Sequence, residues 1–233
     1  MKITYIGHSG FLVELPELYL LFDYTKGQIP EIARDKNLLV FVSHAHGDHY
    51  NEKIWELANT HLHVSYILSD DICEHIPPSP HSYQIHLVSA GQTYQIGTDV
   101  SIQTVFSTDE GVAFVVKHGI YSVFHAGDLN LWTWTEDEEA INQDRLRRFM
   151  LAMAEIADSD FDVAFFPIDP RQESACGDGM TLFLQAVKAK YVYPMHFWDD
   201  YSVISAYRTK NPQYRDCIIE IEHEGQGFFN YID

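Results

Sequence analysis

The seven residues Ser43-His44-Ala45-His46-Gly47-Asp48-His49 constrain this chain more than any other segment. They close a short apolar run over 38–43 (LLVFVS) that reads as a buried strand, and they precede a helical stretch over 52–58 with Asn51 as its N-cap. Side chains two apart in an extended segment project to the same side, so His44 and His46 converge on one point. Gly47 allows a turn that aims Asp48 and His49 at a neighbouring point. Imidazole nitrogens with a carboxylate oxygen suit zinc, with manganese or iron as alternatives. The chain has 13 histidines in 233 residues. At its histidine and aspartate content, HxHxDH arises by chance in about three of a thousand such sequences. A metal site is therefore the reading to follow.

Charge narrows the partners. Lys and Arg number 15 against 34 Asp and Glu, so the formal charge is 15 − 34 = −19. A field of that sign repels phosphate backbones and anionic lipid, which argues against nucleic-acid and membrane partners. A small-molecule substrate, even an anionic one, stays compatible because bound cations reverse the sign locally. No apolar run reaches the roughly 18 residues of a membrane span, and MKITYIGHSG lacks the regions of a signal peptide. Cys73, Cys176 and Cys217 are widely spaced with no CxxC, so free thiols and a cytoplasmic location are expected.

Without repeats or linkers, residues 1–233 read as a single domain. Strands are expected over 2–15 (a hairpin or bent pair), 18–23, 38–43, 61–68, 83–88, 100–106, 161–168 and 191–195. Residues 112–118 and 121–125 form a hairpin across Gly119, and a last hairpin is expected over 217–231. Pro77-Pro78-Ser79-Pro80 marks a surface loop. Helices are expected over 138–157, over 179–188 and from Asp199. In the first of these, Ile141, Leu146, Phe149, Met150, Met153 and Ile156 make an apolar stripe read as core. Strands in both halves with helices after the middle ones indicate two sheets with helices packed outside.

The 43–49 segment and its place in the chain closely resemble the metallo-β-lactamase superfamily. Asp23, ending LLFD, is similar to the acidic residue of the first motif, and His44, His46, Asp48 and His49 to the second. Asp128, in His125-Ala126-Gly127-Asp128, resembles the carboxylate that bridges two metals, and His196, in Pro194-Met195-His196, the final histidine. The start Tyr5-Ile6-Gly7-His8-Ser9 looks like the branch that includes the ascorbate-6-phosphate lactonase group. The resemblance implies an α/β fold, a four-layer αββα sandwich of two mixed sheets with helices outside. It further implies one or two ions, zinc by preference, held by His44, His46, Asp48, His49, Asp128 and His196 at one edge of the sheets. The chain departs from the pattern at the third motif. Val105-Phe106-Ser107-Thr108-Asp109-Glu110-Gly111 has no histidine there. Asp109, or else Glu110, substitutes as an oxygen ligand, or that metal position is weak or vacant.

The function that follows is hydrolysis of a small-molecule ester, lactone or phosphodiester by hydroxide held on the metal, with Asp48 also orienting the nucleophile. The alternative is a catalytically silent metal- and ligand-binding module of the same fold. His8 lies near the mouth of the resembled site, as a contact to substrate or ligand or as a satisfied polar residue. Arg171, in Asp169-Pro170-Arg171, either receives a substrate anion or makes a loop salt bridge. Trp132, Trp134, Trp198 and Tyr201 either wall a pocket or simply pack, and His125 serves its hairpin. His61, His63, His75, His81, His86, His118 and His223 show no convergent spacing. GxSxG and Gly-rich phosphate loops are absent. Substrate, metal identity and oligomeric state, monomer or homo-oligomer, are left open by the sequence.

Overall fold

Short apolar runs near the start of the chain become the strands of one mixed sheet in the computed structural model, which describes residues 1–78 and 84–232. They are β1 (Lys2–Gly7), β2 (Gly10–Glu14), β3 (Leu18–Phe22), β4 (Asn37–Val42), β5 (Val64–Ser69) and β6 (Gln84–Val88). β1, β2 and β3 form an antiparallel meander, and β3 through β6 run parallel. Parallel strands are buried on both faces, which is why Leu38 to Val42 can be uninterruptedly apolar. On one face Leu12, Leu21, Val40 and Tyr66 pack with Ile54 and Ile72. Ile54 comes from a 3-10 helix, Glu52–Asn59, capped as expected by the Asn51 side chain accepting from the Lys53 N–H.

The second sheet repeats the plan. β7 (Thr93–Ile96), β8 (Val100–Phe106), β9 (Val112–His118) and β10 (Tyr121–His125) are antiparallel neighbours. Helix α1 (Glu139–Glu155) leads to β11 (Asp160–Pro167), and α2 (Asp178–Ala186) leads to β12 (Lys188–Met195), both parallel to β10. Helix α3 (Ser202–Lys210) follows, and β13 (Gly227–Phe229) returns to pair antiparallel with β1 in the first sheet. The chain accordingly groups into two compact units, Met1–Ser89 with Glu222–Asp233, and Ala90–Ile221. The α/β class with two mixed sheets is the one expected from sequence.

Three local expectations need correction. No hairpin forms over 217–231; Ile218 bridges to Val192 instead, and only β13 is a strand. In α1 the buried stripe is Phe149, Ala152 and Met153, continued by Ile156, whereas Ile141, Leu146 and Met150 are exposed. Positions i, i+3, i+4 and i+7 span a narrow arc, so only the C-terminal turns of this helix are covered. The strand expected over 61–68 is shifted to Val64–Ser69. Ser79, Pro80, His81 and Tyr83 lie outside the described residues.

Strand direction positions the chemistry. In each sheet the parallel strands end at a common edge, where α/β folds collect their functional groups. Asp23 follows β3 and residues 43–49 follow β4 in the first sheet. Asp128, Asp169 and His196 follow β10, β11 and β12 in the second.

Candidate metal centre

In the first unit one buried carboxylate organises the histidine loop. The Asp23 backbone N–H pairs with Phe41 across β3 and β4, and this sets its side chain beside Ser43. Asp23 Oδ1 accepts from the Ser43 N–H at 2.8 Å, and Oδ2 accepts from the Ser43 hydroxyl at 2.7 Å and from His49 Nδ1 at 2.7 Å. Because the Ser43 hydroxyl gives its proton to Asp23, it accepts from His44 Nδ1 at 3.0 Å. With Nδ1 donating in both rings, Nε2 carries the lone pair that could bind a cation. His44 and His49 are buried, Asp48 is half-buried and His46 is exposed.

The loop closes through the His46 carbonyl, which accepts from the N–H groups of His49 and Tyr50 at 2.9 and 2.8 Å. Gly47 does not have a left-handed φ, and an added Cβ would meet nothing within 4 Å. The turn therefore arises from these hydrogen bonds, and glycine's special freedom is not what makes it. His44, His46 and Asp48 each offer a ligand atom, all within 4.8 Å of one another. His8, at the end of β1, brings Nε2 to 3.5 Å from Asp48 Oδ2.

In the second unit the corresponding hub is Asp169, fully buried after β11. Its Oδ2 accepts from His196 Nδ1 at 2.9 Å and Trp198 Nε1 at 3.2 Å, and its Oδ1 from the Arg171 N–H at 2.9 Å. The Arg171 guanidinium adds contacts of 2.5 and 3.0 Å. Burial alone would raise the pKa of this carboxyl, but the hydrogen bonds from His196 and Arg171 outweigh it and hold Asp169 far below the usual carboxylate range. Asp169 is thereby ionised and holds His196 through Nδ1, so that Nε2 carries the ring's lone pair. That nitrogen lies 3.4 Å from Asp128 Oδ1. Asp109 and Asp128 also bring carboxylate oxygens within 4.8 Å of each other.

The aromatic residues have definite places. Trp132 donates to the Asp128 carbonyl at 2.9 Å and meets the His196 ring edge-on at 5.4 Å. Trp198 flanks the same ring at 5.5 Å and carries the Arg171 guanidinium 4.5 Å above it. Arg171 is the loop salt bridge of the two readings. His125 accepts from the Gly127 N–H at 3.1 Å, in the loop that leads from β10 to Asp128. Among the described residues, His61, His63, His75, His86, His118, His223 and Glu110 join no group of close ligand atoms. The role of Asp169 was missed in the sequence. Its signal was present: an aspartate soon after a buried strand, the placement shared by Asp23 and Asp128.

The donors are imidazole nitrogens and carboxylate oxygens without thiolate, a set that fits a divalent cation such as zinc, manganese or iron. This defines a class, an α/β protein with clustered His and Asp donors at its sheet edges. The chain belongs to the beta-lactamase superfamily, whose domain model matches residues 2–145. A UPF0173 metal-dependent hydrolase of Opitutus terrae is 27% identical over 213 residues, covering 84% of this chain and 85% of that protein. Another from Pelotomaculum thermopropionicum is 27% identical over 215 residues, covering 84% of each. Among solved structures, the metallo hydrolase Igni18 of Ignicoccus hospitalis superposes with a TM-score of 0.70 at 18% identity, over 99% of both chains. CmlA of Streptomyces venezuelae, a diiron β-hydroxylase, superposes with a TM-score of 0.60 at 12% identity, over 97% of this chain and 53% of that one. The fold alone therefore does not set the metal or the chemistry.

Proposed function

We propose that this protein is a metal-dependent hydrolase of small molecules, acting on an ester, lactone or phosphodiester. His44, His46, Asp48, His49, Asp128 and His196 would hold one or two ions, zinc by preference. The observation that carries this reading is that buried carboxylates, Asp23 and Asp169, bind Nδ1 of His49 and His196. A side chain satisfied for stability alone has no need of that uniform tautomer; a ligand has. The relatives named as metal-dependent hydrolases support the same reading. When bound, a divalent cation supplies Lewis acidity and lowers the pKa of a coordinated water.

The chain's own residues account for the rest. Asp48, the half-buried carboxylate of the loop, would hold the proton of an attacking water at a carboxylate oxygen. Trp132 and Trp198 shield His196 and furnish apolar walls. Asp109 takes the place of the absent third-motif histidine as an oxygen donor. Three free thiols, Cys73, Cys176 and Cys217, support a cytoplasmic location. No helix among the described residues is long and apolar enough to cross a membrane.

Metal analysis combined with generic ester, lactone and bis-aryl phosphodiester substrates tests the proposal. Turnover that is lost on chelation and in His46→Ala supports it. Tight metal binding without turnover on any of these favours the silent module, which the missing histidine motivates.

A further inference from the structure

Four histidine–carboxylate distances among the described residues fall into two classes. His49 Nδ1 lies 2.7 Å from Asp23 and His196 Nδ1 lies 2.9 Å from Asp169. These are hydrogen bonds that orient the rings. The second class uses the other nitrogen and is longer: His196 Nε2 to Asp128 Oδ1 at 3.4 Å, and His8 Nε2 to Asp48 Oδ2 at 3.5 Å. Such separations exceed those of a charge-assisted hydrogen bond. They match the spacing of two atoms on one small cation, since ligands about 2.0–2.1 Å from a tetrahedral ion lie about 3.4 Å apart. His8 stands to Asp48 as His196 stands to Asp128.

We propose that His8 is itself a metal ligand, acting together with Asp48 and His49. This rests on the metal-centre reading above and adds a donor to it. His8, Asp48 and His49 offer ligand atoms within 4.8 Å of one another, and the His8 and His49 rings meet edge-on at 5.6 Å. Asp48 is then shared by two three-donor groups of the first unit, one with His44 and His46 and one with His8 and His49. The backbone supplies an independent argument. Gly7 pairs with Gly10, so His8 and Ser9 form a two-residue hairpin turn. His8 has φ 51°, a left-handed value at a turn position that glycine usually takes. A histidine is strained there and its side chain is 6% exposed. The turn holds a buried imidazole against the Asp48 carboxylate, a placement that a glycine there would not provide.

The test compares wild type with His8→Gly and His8→Asn, both compatible with the left-handed turn, and with His46→Ala as a parallel arm. Zinc affinity is measured by competition with a chromophoric chelator, and the imidazole count by X-ray absorption of protein loaded with one equivalent of cobalt. In the His8 variants the tight zinc event should weaken at least tenfold. The imidazole count should fall by one, added imidazole should restore part of the affinity, and thermal melting should show the metal-free fold intact. Unchanged zinc affinity in a folded His8→Gly, with uptake reduced in His46→Ala, would overturn the His8 assignment alone. Weaker affinity with an unchanged imidazole count would make His8 a positioning residue, which also overturns it. A wild-type protein that takes up no metal would overturn this inference and the reading beneath it together.

Discussion

The two units reach the same chemical end by different means. In the first, His44, His46, Asp48 and His49 leave one strand end within six residues, and a single carboxylate, Asp23, sets two of the rings. In the second, Asp128 and His196 are separated by more than sixty residues and meet only because β10, β11 and β12 run parallel. Asp169 serves one ring there, with its charge answered by Arg171 and its flank covered by Trp198. The difference teaches that a local centre is written in spacing, whereas a centre assembled by topology is written in strand order. It also identifies where each half is fragile, at Asp23 in the first and at the strand ends in the second.

Removing one donor from each half gives the largest expected effect. His46→Ala and Asp128→Asn should each lower hydrolysis on the order of 10²-fold or more, measured as kcat/KM on whichever generic substrate is turned over. Near-normal turnover in a folded Asp128→Asn would mean that the second unit supplies no essential donor, and the comparison would collapse. The orienting carboxylates come next. Asp23→Asn and Asp169→Asn should weaken zinc binding by about 10–100-fold. Asp23→Asn should be the more severe, because it releases two rings and the other only one. Equal losses in a zinc titration would remove that asymmetry.

A smaller effect is expected at Asp109. Zinc titration of metal-free wild type should show one tight and one weaker event, and Asp109→Ala should abolish only the weaker. Two equally tight events that survive Asp109→Ala would refute both the inequality and the substitution. The smallest effect contrasts the units through their thiols. Cys73 is exposed in the first. In the second, burial and then the nearby carboxylates of Asp169, Asp178 and Asp200 push Cys176 up to about 11. Raising a thiol pKa keeps it protonated at neutral pH, so alkylation monitored by mass spectrometry should label Cys73 first. Labelling of Cys176 should accelerate only as pH climbs toward that value. Equal rates at neutral pH would contradict the buried setting of Cys176.

Legibility followed the same division. The histidine loop, its preceding strand, the Asn51 cap and the hairpin across Gly119 were readable because each depends on neighbours in sequence. The 217–231 segment was misread because its partners, Val192 and β1, lie far away in the chain. In α1 the apolar pattern continued beyond the turns that are buried, so periodicity overstated the core. Asp169 carries the signal of an aspartate after a buried strand, but spacing does not pair it with His196, 27 residues on. His8 was seen, but its turn geometry, which decides its meaning, is invisible without coordinates.

The return of β13 to β1 has a consequence for biosynthesis. The whole of the second unit is inserted between β6 and β13, so a ribosome must deliver it before Lys2, Ile3 and Thr4 can meet Phe229, Phe228 and Gly227. Until then β1 emerges with one row of backbone donors and acceptors unanswered, the state in which nascent strands recruit foreign ones. Vectorial synthesis therefore favours early closure of Ala90–Ile221, and it leaves the unit bearing the histidine loop to be sealed last.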